Sequence, residues 1–330
     1  MAFIDRLDPE LAVVLRTFPA EDINWHDLPA TRGAFERRLE AMRRDSPDSP
    51  HVIKEDRFAP GPAGAPDVPV RVYRPHDNDA ALPCLIWAHG GGYVLGSIAR
   101  TDLAMQRIVE FVGCTVVSVE YRLAPEHPFP APLDDCYAAL TWAVGHAATL
   151  GIDPGRVAVG GASAGGGLAA ALALLARDRG EVSIAFQFLV YPMLDDRTIS
   201  PSSRAVTDPR VWNLASNRNG WRAYLGTEPG GATVSPYAAA ARGTDLRDLP
   251  PAYISVGTQD LFVDEDIAYA QRLITSEVPV ELHVYPGVFH GAEVLVPAAA
   301  LSQRMIADQD RALKWALHPP SALARAAQSR

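Results

Sequence analysis

The chain has 330 residues, 48% of them hydrophobic and 21% charged, with a formal net charge of −9. Apolar content near one half supports a large buried core and excludes a disordered chain, and the acidic balance excludes a nucleic-acid partner, which needs basic surface to neutralise phosphates. The three cysteines (Cys84, Cys114 and Cys136) include no C-x-x-C pair, which excludes a disulfide framework and a thiolate zinc site.

The amino terminus carries acidic charge early and lacks a basic-then-apolar signal layout, so a cytoplasmic location is expected. Residues 1 to about 45 read as helical: Leu11, Val14, Leu15 and Phe18 fall at helical spacing, as do Phe35, Leu39 and Met42. The run Asp45 to Pro50 breaks that pattern. Strand-like runs follow at His51–Phe58 and Val68–Arg74, separated by a Pro/Gly-rich turn region. Alternation then sets in. Apolar runs Cys84–Ala88 and Thr115–Val119 read as buried strands, with a helix around Met105–Phe111 between them.

A helix near Pro132–Ala148, a strand Arg156–Val159, a helix Gly167–Arg177 and a strand Ile184–Val190 come next. A strand Ala252–Val256, a helix Asp264–Thr275, a strand Val280–Tyr285 and a final helix near Ala300–Ala316 complete the series. Strands alternating with helices predict an α/β fold with a largely parallel central sheet and helices on both faces. Val157–Ala176 is uncharged over twenty residues, long enough for a membrane span. Its five glycines cluster in the middle, however, and a strand, tight turn and helix fit better. No membrane association is expected. The stretch from Asp195 to about Pro250, with Trp212, Trp221 and Tyr224, is too long for an ordinary loop and reads as a lid or binding segment.

The candidate chemistry sits at strand ends. Directly after the strand ending at Gly160 stands Gly161-Ala-Ser163-Ala-Gly165, a G-x-S-x-G pattern in strand–turn–helix context. A serine on a sharp turn needs small neighbours, so the spacing suits an exposed nucleophile. Gly165-Gly-Gly-Leu-Ala-Ala170 also satisfies a dinucleotide fingerprint, but no acid ends the following strand at Tyr191, so that reading fails. His89-Gly-Gly-Gly92-Tyr93 follows the strand ending at Ala88, and its backbone can turn N–H groups toward a substrate oxygen. The N–H groups of Gly91, Gly92 and Ala164 are the candidate oxyanion hole.

An acid and a base should follow in chain order. Of the downstream histidines, His283 lies within a strand and His318 beyond the last helix. His290 follows a strand's carboxyl end, where catalytic groups gather in open α/β sheets. Asp260 is the preferred acid and Asp264 the alternative, since a carboxylate at Asp264 also suits a helix start. Ser163, His290 and Asp260 would then form a nucleophile–base–acid set that needs no metal or organic cofactor. Only Lys54 and Lys314 are lysines, which leaves Schiff-base and Ser-x-x-Lys chemistry little room.

On these motifs, with Glu120-Tyr-Arg-Leu-Ala-Pro-Glu126, Asp260-Leu-Phe-Val-Asp-Glu265 and His290-Gly291, the chain resembles the hormone-sensitive-lipase-like branch of the α/β-hydrolases. Segments 119–126, 185–189 and 280–291 further look like bacterial esterases acting on acetylated compounds, such as heroin esterase. The resemblance implies an α/β-hydrolase fold and hydrolysis of carboxylic esters, usually with short acyl chains. It also implies a helical cap from the amino-terminal helices and an insertion such as 195–250. Tyr93 and Trp212 are the candidate substrate-binding side chains. Two departures stand out: Ala162 where the family often has an acid, and Ala292 where it often has Phe.

The alternatives are an amidase or lactone hydrolase with the same three residues, and a non-catalytic small-molecule receptor on this scaffold. Such a receptor typically lacks the catalytic histidine, and His290 is present. The expected partner is a small-molecule ester, and a homodimer is left open. Length alone suggests two domains at about 150 residues each. Motifs spanning Gly91 to His290 must meet in one site, so the expectation is one domain, 1–330, with a cap formed by about 1–45 and about 195–250.

Overall fold

Eight strands form one sheet in the computed structural model, which describes residues 2–20, 23–43, 47–77 and 80–319, with side chains for all but 38–43. They are β1 (Val52–Ala59), β2 (Val68–Pro75), β3 (Leu82–Ala88), β4 (Thr115–Val119), β5 (Ile152–Ala162), β6 (Phe186–Val190), β7 (Ala252–Gly257) and β8 (Val280–Tyr285). Their spatial order is β1-β2-β4-β3-β5-β6-β7-β8. β2 pairs antiparallel with both β1 and β4, and β3 to β8 run parallel. The parallel sheet with helices on both faces is therefore observed as expected. The side chains of Leu39 and Met42, and the break at Asp45 and Ser46, lie outside the described residues.

The apolar runs are continuous because the central strands are covered on both sides. In β3, Leu85 and Trp87 join one core layer while Ile86 and Ala88 join the other. The first layer packs under the helices Ile98–Ile108 and Ala300–Leu317. The second packs under Ala131–Gly145, Ala164–Arg179 and Val263–Thr275. Twenty uncharged residues from Val157 are thus divided between β5, a turn and a helix buried nearly all round. Among the described residues, no helix is long and apolar enough to cross a membrane.

Several details differ from the sequence reading. The helix expected around Met105 begins at Ile98, because the Glu120 carboxylate accepts the Ile98 N–H at 2.7 Å. That cap comes from 22 residues away and leaves no local signature. β5 begins at Ile152, which pairs with Leu82 before a register shift, so Pro154 and Gly155 are accommodated inside the strand. The segment after Asp195 contains helices Pro201–Ala205 and Leu214–Leu225. Asn213 caps the longer one through Ala215 N–H (3.0 Å) and Ser216 N–H (3.1 Å), and Gly226 ends it in the left-handed region.

The strand order positions the site. β3 has β4 on one side and β5 on the other, so the connections leaving their carboxyl ends diverge there. Open α/β sheets form their ligand crevice at such a switch point. Ala88 pairs with Gly161, which sets the His89–Gly92 turn beside the Ser163 turn. Arg32 of the helix Leu28–Arg43 reaches the same end of the sheet. Its guanidinium donates to the carbonyls of Val94 and Ala124 and to both Glu126 carboxylate oxygens, all at 2.8 Å.

Candidate active site

Ser163 sits between β5 and the helix Ala164–Arg179 with φ 58° and ψ −121°, a left-handed backbone that a serine rarely adopts. Tight packing explains the flanking glycines. A Cβ on Gly161 would lie 2.2 Å from the Gly165 carbonyl oxygen, and one on Gly165 would lie 2.0 Å from that of Ala88. Neither position accepts a side chain. The turn is held by Ser163 N–H donating to Val190 O (2.9 Å) and by Met193 N–H donating to Ser163 O (3.0 Å).

His290 reaches the serine from the loop after β8. Its Nε2 is 2.9 Å from Ser163 Oγ and its Nδ1 is 2.7 Å from Asp260 Oδ2. An ionised carboxylate only accepts, so Nδ1 carries the proton and Nε2 is left to accept from the serine hydroxyl. Asp260 is 1% exposed, and its other oxygen accepts the Phe262 N–H at 3.0 Å. Tyr191 and Phe262 present ring edges to the imidazole, with centroids 4.7 and 5.1 Å away. Asp264 lies elsewhere: its Oδ2 accepts the Ser202 N–H at 2.7 Å and so ties the inserted segment to the helix after β7. Of the two candidate acids, Asp260 alone makes the hydrogen bond to His290.

On the other side of Ser163 is the glycine turn. Gly91 and Gly92 have φ 130° and 60°. Among the described residues, no acceptor meets the N–H groups of Gly91, Gly92 or Ala164. Gly92 and Ala164 are buried, and buried amides without partners are rare in folded chains. Ala164 is also the first residue of a 16-residue helix, so its N–H lies at the helix's partial positive end. His89 supports the turn from behind. It is fully buried, stacks on Tyr121 at 4.2 Å, and shares Nδ1 with the Gly90 carbonyl at 3.0 Å. Burial pushes its imidazole down to about 4, so it stays neutral.

The two candidate pocket side chains part company. Trp212 covers the glycine turn, its Cη2 atom occupying the space within 2.1 Å of where a Gly92 Cβ would stand. Tyr93 does not face open space. It is fully buried between Trp221 and Tyr224, stacks on Tyr224 at 3.9 Å, and donates its hydroxyl to Met193 O at 3.2 Å. The ring holds the turn in place from the core side. Tyr191, Phe262 and Glu293 around His290 were not anticipated. The usable signal was that Tyr191 directly follows β6 at the carboxyl end of the sheet.

In chemical terms the arrangement offers a hydroxyl hydrogen-bonded to an imidazole whose other nitrogen is held by a carboxylate, beside a turn with N–H groups that lack acceptors among the described residues. Comparison with known proteins gives the family of the chain. Residues 85–294 match a family model for the alpha/beta hydrolase fold. The chain is 37% identical over 321 residues to the carboxylesterase NlhH of Mycobacterium tuberculosis, covering 94% of this chain and 97% of that one. It is 33% identical over 294 residues to the ethyl acetate hydrolase of Pseudomonas putida, covering 86% and 91%. Among solved structures, bacterial heroin esterase superposes with a TM-score of 0.92 at 42% identity, covering 96% of this chain and all of that one.

Proposed function

Because the chain belongs to the α/β-hydrolase family, in its hormone-sensitive-lipase-like branch, and is a carboxylic-ester hydrolase, we propose that it cleaves short-chain acyl esters through Ser163, His290 and Asp260 by way of an acyl-enzyme. The observation that carries this reading is the pair of hydrogen bonds at 2.9 and 2.7 Å linking the three side chains, with unpaired amides opposite. In the first step Ser163 Oγ attacks the ester carbonyl carbon while His290 Nε2 takes its proton. The oxyanion accepts hydrogen bonds from the N–H groups of Gly91, Gly92 and Ala164. Asp260 stabilises the imidazolium, which returns the proton to the departing alkoxide. Water then repeats the cycle on the acyl-enzyme and releases the acid.

A cap formed by the amino-terminal helices and the segment 195–250 would limit the substrate. Trp212 brings that segment onto the glycine turn, and Arg32 ties the helix Leu28–Arg43 to the loops beside it. The name of the Pseudomonas putida relative, an ethyl acetate hydrolase, favours the same small acyl group. The test is a series of p-nitrophenyl esters. Acetate and butyrate are expected to exceed dodecanoate in kcat/KM by at least about 100-fold, since one poorly accommodated methylene alone costs about 10- to 200-fold. Equal or rising kcat/KM toward long chains would overturn the short-chain reading.

A further inference from the structure

The wall behind His290 holds a second acid. Glu293 lies in the short helix Ala292–Leu295, two residues past the Gly291 that follows His290. It is 8% exposed. One carboxylate oxygen accepts the Tyr191 hydroxyl, and the other, Oε2, is buried with no partner among the described residues. Tyr191 in turn sets its ring edge on His290 at 4.7 Å, with its own backbone held in the left-handed region at φ 35° and its N–H donating to Ser255 O at 2.6 Å. A carboxylate buried beside an imidazole, with one oxygen lacking a side-chain donor, is costly to keep there.

We propose that Glu293 is a positioning residue for ester hydrolysis: through Tyr191 it fixes the face of His290, and its charge supports the imidazolium alongside Asp260. The inference rests on His290 being the base. It separates two tasks within the site. Asp260 sets the tautomer by direct hydrogen bonding, whereas Glu293 acts across Tyr191 and through space.

The charges that bear on this pocket are few. Burial pushes the Glu293 carboxyl above its ordinary value, with Asp260 adding in the same direction; the Tyr191 hydrogen bond, the residue's own backbone N–H and the neighbouring His290 oppose them. Arg100, from the helix Ile98–Ile108, acts on Tyr191 from another side. Glu265 and Asp266 of the helix Val263–Thr275 feel Asp260, but their own burial pushes them up toward the neutral form. His89 stays neutral down to about 4.

The experiment uses Glu293→Gln, which keeps size and the acceptor for Tyr191 and removes only the charge. The acid limb of its kcat/KM profile is expected to move to lower pH by about half to one unit. The plateau kcat should fall about tenfold and KM should stay within about twofold, because one unit of pH corresponds to a tenfold change in proton affinity. A purely structural role would lower activity without moving the limb. The same shift should appear in an NMR titration of the His290 ring in the Ser163→Ala background, with and without Glu293→Gln. That readout needs no esterase activity, so it separates failure of this inference from failure of the nucleophile assignment. Tyr191→Phe, which strips Glu293 of its donor and keeps it neutral to higher pH, should shift the ring titration the same way and serves if Glu293→Gln does not fold. Coincident titrations would overturn the proposal, as would a shift to higher pH.

Discussion

Replacing Ser163 by alanine is expected to lower kcat on p-nitrophenyl acetate by on the order of 10⁶, with KM little changed. The size of the loss follows from what the hydroxyl does. Among the described residues it is the group bonded to His290 Nε2, and it stands on a turn with strained backbone angles. Without it the unpaired amides of Gly91, Gly92 and Ala164 still polarise a bound carbonyl. Water must then attack unaided, leaving about 10³ to 10⁴ of acceleration over the uncatalysed reaction. Stability should be little affected, because among the described residues the Ser163 side chain bonds to His290 alone and the turn is held by backbone contacts. Steady-state kinetics together with a thermal melt distinguish the two effects. Retention of most activity in a folded variant would remove Ser163 from the mechanism.

Asp260→Asn is expected to cost roughly 10⁴ in kcat, and Asp264→Asn less than about threefold. An amide at position 260 can turn its NH₂ toward His290 Nδ1. The ring proton then moves to Nε2, where it blocks acceptance from Ser163. The Phe262 N–H already claims Oδ1, which favours leaving the NH₂ on the His290 side. Among the described residues Asp264 bonds to Ser202, its carboxylate accepting the Ser202 N–H and its own N–H donating to Ser202 Oγ, and so anchors the inserted segment from outside the relay. Measuring kcat for both variants on one substrate decides between the two acids; equal losses would mean that the inserted segment, rather than the relay, governs activity.

The site was legible in the chain wherever the chemistry demands a local pattern. Gly161 and Gly165 are forced by contacts under 2.5 Å, and that constraint is written into the spacing around Ser163. The strands were legible because both faces are buried, which turns them into unbroken apolar runs such as Cys84–Ala88. Distant contacts were not legible. Glu120 capping the helix at Ile98 spans 22 residues, and the Tyr191–Glu293 bond spans 102. Asp260 and Asp264, both next to a helix start, differ only in which loop each side chain meets. The surroundings of Tyr93 were not legible for the same reason: Trp221 and Tyr224, which stack around its ring, come from the insertion.

The nucleophile can be tested directly by covalent trapping. A p-nitrophenyl alkylphosphonate reacts with an activated serine to give a stable adduct resembling the tetrahedral intermediate. Intact mass followed by peptide mapping should find one adduct per chain, on the peptide containing Ser163, and none on Ser163→Ala. An adduct on another residue, or equal labelling of the alanine variant, would contradict catalysis through Ser163.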